Sequence, residues 1–156
     1  MAKRKPSGST IATNRRARYD YEILETLSAG MALLGSEIKS IRAGAVNIGE
    51  GYARFDDGEL WLYNVHIAPY PPARENHEPT RPRKLLLQRR ELEELDRELR
   101  EQPRTTVVPL RMFLENGLAK VEIGLVRGRR AYDKRQAIAK REAERSMQRA
   151  VRHAQR

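Results

Sequence analysis

The chain contains no cysteine, which excludes a disulfide framework, a thiol nucleophile and any cysteine-based zinc site. Aromatic residues are scarce, with two Phe, one Trp and six Tyr. Long apolar runs are missing as well: clusters such as MALLG at 31–35 fall far short of the ~20 residues that span a bilayer. The basic start MAKRKPSGST is followed by no apolar segment, so it does not read as a secretory signal. The basic C-terminal stretch has Ile138, Met147 and Val151 as its large aliphatics, too narrow an apolar face for a membrane-surface helix. A cytoplasmic protein with no membrane association is expected.

Acidic residues are absent from residues 1–18, which carry six Lys or Arg. Residues 127–156 carry eleven basic residues against three acids, whereas residues 19–126 hold fourteen basic and eighteen acidic residues. The net charge of +10 therefore sits at the two ends of a slightly acidic body. That pattern suits one small domain that docks on a polyanion. The length of 156 residues fits a single domain.

Groups that could share a proton or a metal are also missing. His66 and His77 are separated by a proline-rich loop, His153 lies in the tail, and no HExxH or His-x-His spacing occurs. Gly44, Gly49 and Gly51 are scattered and lack the Lys-Ser or Lys-Thr of a phosphate cradle. Asp56-Asp57 reads as turn chemistry, and Glu93, Glu94 and Glu98 as a solvated helix face. No enzyme, cofactor or metal site is expected.

Local patterns predict mostly β-structure. Residues 19–27 read as a strand, Ala29-Gly30 as a turn and residues 31–35 as a second strand. Residues 36–42 read as a short helix stopped by Gly44. Tyr52 and Arg54 alternate with Ala53 and Phe55, and Asp57-Gly58 marks a hairpin. Five prolines between 69 and 82 predict an exposed extended loop. Leu85, Leu92, Leu95 and Leu99 predict a helix over 83–100, ended by Pro103. Asn116-Gly117 is the strongest hairpin signal, joining two strands between 105 and 126. The expected fold is mainly β: a closed antiparallel barrel of about six strands, of the oligonucleotide-binding type, with accessory helices and a flexible basic C-terminal tail. A split β-α sheet is the alternative. The expected division is a flexible arm at 1–12, an RNA-binding body at 13–130, and a tail at 131–156 that is disordered until bound.

Three basic constellations point to RNA. In TNRRAR, Arg15, Arg16 and Arg18 can bind phosphates and Asn14 can pair with a base or ribose. In GSEIKSIRAG, Lys39 and Arg42 accompany Glu37, which can orient a neighbouring Arg or accept from a base amine. In RGRRAYDKR, Arg127, Arg129, Arg130, Lys134 and Arg135 flank Gly128 and Asp133, with Tyr132 able to stack on a base. Lys140 and Arg141 continue that strip. A ribosomal structural protein shares this charge pattern, and a nuclease would need clustered carboxylates.

These blocks, together with GSTIATNRRARYDYEI, PTRPRKLLLQRREL and KVEIGLVRGRRAYDKR, resemble the bacterial SsrA-binding protein family, SmpB. The resemblance implies an oligonucleotide-binding-type barrel and a non-catalytic, monomeric partner of transfer-messenger RNA and the ribosome in trans-translation. It implies that Asn14, Arg15, Glu37, Lys39 and Arg42 hold the tRNA-like domain. It also implies that the tail, starting near Asp133, Lys134 and Arg135, enters the decoding centre and the vacant message channel. Two positions depart from the family pattern: Ser28 stands where many members have an acid, and Ala143 where many have a tail Trp.

Overall fold

The computed structural model describes residues 9–129 and 131–154, with side chains of the final helix described over 138–152. The elements in chain order are β1 (Ser9–Thr13), α1 (Ala17–Asp20), β2 (Tyr21–Met31), α2 (Gly35–Arg42), β3 (Val46–Asn47), β4 (Tyr52–Asp56) and β5 (Glu59–Tyr63). They continue with β6 (His66–Ile67), β7 (Arg83–Leu86), α3 (Arg89–Glu101), β8 (Thr105–Glu115), β9 (Leu118–Gly128) and α4 (Ala131–Ala154).

Two short turns build the hairpins. Asp57-Gly58 joins β4 to β5 and Asn116-Gly117 joins β8 to β9, with φ of 50° and 77° in the first and 51° and 77° in the second. These left-handed pairs match the twist of the strands they connect. The strands then pair in the order β1-β8-β4-β5-β7-β2-β9, and β9 pairs back onto β8. The β2–β9 and β8–β9 ladders are long, running from Tyr21↔Gly128 to Gly30↔Lys120 and from Thr105↔Arg127 to Glu115↔Leu118. The β4–β8 junction is thin and rests on Ala53↔Val107. A separate pair, β3–β6, carries the chain into and out of this sheet. Period-two alternation sends Leu60 and Leu62 of β5 inward, together with Met112, Val121 and Ile123 of the long hairpin. The fold is thus mostly β with accessory helices.

Several expectations need correction. The main sheet has seven strands, close to the six or so predicted, with β1 added along β8; the two-stranded pair was not foreseen. Ala29-Gly30 is not a turn, and residues 31–35 are not a second strand. Instead β2 runs through to Met31, because Gly30 and Met31 pair with Leu86 and Leu85 of β7 while Gly30 also pairs with Lys120 of β9. The strand predicted to start at Tyr19 begins at Tyr21, after the single turn of α1. The helix predicted over 83–100 begins only at Arg89, where the Gln88 N–H donates to Glu91 Oε1 at 3.2 Å. Residues 83–86 are a strand, with Arg83 and Leu85 buried inward and Leu86 half-exposed. A run of three leucines fits either periodicity, and pairing with Trp61 and Leu62 decided it.

Residues 9–12, expected in the arm, form most of β1 along β8; residues 1–8 lie outside the described residues. Residues 131–154 form the helix α4. Its alanines favour the helix, and Ile138, Met147 and Val151 are exposed on it.

Gly51 sits where a side chain has no room. A Cβ there would lie 2.6 Å from Val65 Cγ2 and 2.9 Å from Pro109 Cγ. Gly51→Ala is expected to destabilise the fold by about 1–3 kcal/mol, read as a lower urea midpoint. An unchanged midpoint would mean that the Pro109 ring yields at no cost.

Candidate nucleic-acid interface

The carboxylate of Glu37 is completely buried on α2 and is held by three elements. Arg83 of β7 donates from Nε to Oε2 at 2.5 Å. Arg81, at the end of the proline loop, donates to Oε1 from Nε at 3.1 Å and also through Nη2. The Leu34 N–H donates to the same oxygen at 2.8 Å, which closes the first turn of α2. The remaining guanidinium N–H groups of Arg83 donate to the carbonyls of Val65 at 2.6 Å and Pro79 at 3.0 Å. Burial by itself would push the Glu37 carboxyl up, but the hydrogen bonds from Arg81, Leu34 and Arg83 outweigh it and hold the carboxyl below its ordinary value. Burial pulls Arg83 down against the opposing pull of Glu37. His77 adds a second pin to the proline loop: its Nε2 donates to the Ile67 carbonyl at 2.8 Å, and Ser36 Oγ lies 2.8 Å from Nδ1.

This clamp turns Lys39 and Arg42 of α2 outward. Lys39 Nζ sits 5.7 Å over the Tyr70 ring. Arg42 Nη2 donates to the Gly117 carbonyl at the tip of the β8–β9 hairpin, at 3.2 Å. Glu37 itself has no exposed surface, so of the two roles open to it the geometry fits orienting arginines.

Asn14 is buried too. Its amide donates to the Pro109 carbonyl at 3.0 Å, and its oxygen accepts from the Ala17 N–H at 3.2 Å, which starts α1. The arginines around it point outward. Arg15 and Arg18 are exposed, and Arg16 reaches Asp20 at 3.4 Å and Glu50 at 3.2 Å. Arg16 and Glu50 line a pocket of about 250 Å³ with Asn14, Asp20 and Tyr52.

The root of the tail lies beside this arm. The Arg129 N–H donates to the Asp20 carbonyl and its Nε to the Tyr21 carbonyl, both at 3.1 Å. Arg127 pairs with Glu22 at 2.8 Å, and that guanidinium holds the Glu22 carboxyl below its ordinary value. Gly128 is exposed, Lys140 is exposed, and Arg141 lies 4.7 Å over the Tyr19 ring. Arg130 lies outside the described residues, as do the side chains of Tyr132, Asp133, Lys134 and Arg135.

The structure therefore sorts the candidate residues into two groups. Arg15, Arg16 and Arg18 gather with Arg127, Arg129 and Arg141 around α1. Lys39 and Arg42 stand on α2, with Arg42 at Gly117 and Lys39 over Tyr70. Asn14 N–H bonds to Leu110, and the stretch of β8 from there to the hairpin tip is roughly 20 Å long at strand rise. Sequence patterns did not single out Arg81 and Arg83 as a clamp. The alternation of Arg83 with Leu85 on an inward face was the available signal. The outward row of Tyr52, Arg54, Trp61 and Tyr63 was legible only as hairpin alternation. Among the described residues, no three His, Asp or Glu side chains are grouped to hold a metal ion, and no helix is long and apolar enough to cross a membrane.

The clamp has a pH signature. A carboxyl held low in the fold stabilises it fully above the unfolded Glu value of ~4.3, and that contribution fades as pH falls through the lower folded value. Glu37→Gln is expected to cost ~3 kcal/mol at pH 7, with the gap to the parent protein narrowing below pH ~4. Urea unfolding across pH 3–7 checks it, and a gap that widens on acidification contradicts it.

Comparison with known proteins gives the family. The family model described as "SmpB protein" matches residues 11–153. An SsrA-binding protein of Roseiflexus sp. (strain RS-1) is 57% identical over 153 residues, covering 97% of this chain and 96% of the relative. One from Thermobifida fusca (strain YX) is 55% identical, covering 92% and 89%. A solved structure described as "tmRNA-SmpB: a journey to the center of the bacterial ribosome" superposes with a TM-score of 0.65 at 49% identity, covering 81% of this chain and 93% of the other. With the matched region running from β1 into the last helix, the chain belongs to the SmpB protein family.

Proposed function

We propose that this protein is a non-enzymatic, monomeric RNA-binding adaptor of the cytoplasm. It binds the tRNA-like domain of transfer-messenger RNA and delivers it to stalled ribosomes for trans-translation. The observation that carries this reading is the pairing of a clamped body, which presents Lys39 and Arg42, with a cationic helix joined to it at Arg129. The named relatives and the tmRNA-SmpB structure support the choice of RNA.

The body reads as a closed barrel of the oligonucleotide-binding type. The circuit of pairings from β8 through β4, β5, β7, β2 and β9 back to β8 supports that closure. Arg15, Arg16, Arg18, Lys39 and Arg42 contact RNA phosphates, and Asn14 and Glu37 hold them in place. Residues 127–141 lead into the decoding centre and the rest of the tail into the vacant message channel, where a cationic helix takes the place of an anionic strand. The tail gains its fixed order there.

Two experiments test the division of labour. In competition between transfer-messenger RNA and ordinary tRNA, Arg42→Ala and Arg15→Ala are expected to weaken capture by roughly tenfold each, in the range of a lost charged hydrogen bond, and to leave ribosome association intact. Truncation after Gly128 is expected to keep capture and abolish peptide tagging. Equal loss of both functions in both variants contradicts the partition. If the tail releases counterions at about six phosphates, ribosome affinity falls with roughly the fifth power of salt. Truncation flattens that slope; an unchanged slope removes the tail from the contact.

A further inference from the structure

The β4–β5 hairpin presents a face that neither the arm, α2 nor the tail accounts for. Its inward residues, Ala53, Leu60 and Leu62, are buried in the core. Its outward row pairs Tyr52 with Tyr63 and Arg54 with Trp61 across the ladder. The rings of Tyr52 and Tyr63 stack with centroids 5.6 Å apart and planes 18° from parallel. The Arg54 guanidinium lies 4.7 Å over the Tyr63 ring. Lys84 of β7 sits opposite Trp61 in register, with its Nζ 3.6 Å from Glu59.

A cross-strand ring pair stabilises a hairpin without any ligand. That accounts for Tyr52 against Tyr63 but not for the composition of the whole row. The chain has one Trp and six Tyr, and three of those seven stand in this row with an Arg among them. Tyr52 remains 40% exposed. It also lines the pocket that holds Arg16, so the aromatic face runs directly into the arginines of the arm. Flat rings beside a planar guanidinium match the faces of nucleobases, and nearby arginines match the phosphates between them. Of the nearby acids, Glu59 pairs with Lys84 and Glu50 with Arg16, while Asp56 stands exposed at the end of the same row, beside Arg54.

We propose that Tyr52, Arg54, Trp61 and Tyr63 form a second RNA-binding site, one that takes the unpaired bases of single-stranded RNA by stacking. It is separate from the surface around Lys39 and Arg42 and does not depend on the identity of the RNA bound there. The site adds a hold on any unpaired stretch that passes the arm.

Trp61 is the only tryptophan in the chain, so its fluorescence reports on this face. The full chain is titrated with an oligoadenylate of about six nucleotides, a length within the footprint of small single-strand binding domains. Saturable quenching is expected. Tyr52→Ala and Tyr52→Leu should each weaken it by roughly fivefold to a hundredfold, the range of one base–aromatic stack. Tyr52→Phe should leave it unchanged, and Arg42→Ala should too. Circular dichroism confirms that each variant is folded. The proposal is overturned by absence of quenching, by equal affinity in folded Tyr52→Leu, or by a face that ignores the oligonucleotide but responds to ribosomal protein. Because the probe carries no tRNA-like structure, failure of the transfer-messenger RNA reading leaves this outcome unaffected.

Discussion

A carboxylate shut away from water must be surrounded by donors or give up its charge. Glu37 keeps its charge because two guanidinium groups and a backbone N–H surround it. The consequence reaches beyond one side chain. Arg83 comes from the sheet, Arg81 from the proline loop and Glu37 from α2, so the ion cluster ties three segments that hydrophobic contact alone would leave loosely related. The N–H groups that Glu37 does not use go to the carbonyls of Val65 and Pro79. These are main-chain groups of the β5–β6 connection and of the proline loop, which make little ladder of their own. A buried ion pair of this sort contributes geometry more than net stability. Here it joins α2, which also carries Lys39 and Arg42, to β7 and to the end of the proline loop.

The same economy of positioning operates at the other end of the molecule. Asn14 is buried and satisfied at both ends of its amide, so Arg15 and Arg16 start from a fixed point instead of a loose arm. The end of β9 is stitched to the start of β2, and Arg129 is bonded to the carbonyls of Asp20 and Tyr21. Two basic segments from opposite ends of the chain therefore share one surface. Crowding like charges is unfavourable in isolation. Glu22, Asp20 and Glu50 relieve it by pairing with Arg127 and Arg16, and a polyanion would relieve it further.

What could be read in advance divides along physical lines. Turns were legible because Asn-Gly and Asp-Gly pairs carry their own backbone preference, and both hairpins follow them. The short helix was legible because Gly44, at φ 78°, stops it. The segment 83–86 was not, because three consecutive leucines satisfy helix and strand alike until a neighbouring strand offers its hydrogen bonds. Gly30 misled for a similar reason: glycine permits a turn but does not require one, and β7 and β9 hold it extended. The charged residues of the interface could be named but not sorted. No local pattern distinguishes a Glu that meets solvent from one that meets two arginines forty residues away, nor an Asn that faces a base from one that caps a helix.

The tail helix presents the opposite case, an element whose composition favours one local form but whose place is not set by it. Its alanines supply helix propensity, although a helix that packs on nothing is only marginally stable in water. Among its described side chains, the aliphatics Ile138, Met147 and Val151 are exposed, so these do not secure it by apolar burial. The contact of Arg141 over Tyr19, both half-buried, joins it to α1, and a cation–π pair near the surface is worth ~0.5–1 kcal/mol. A hold of that size shifts a two-state equilibrium only about two- to fivefold. An anionic channel that neutralises several of the helix's cations outweighs it easily. The body can thus remain locked around Glu37 while the helix changes its surroundings.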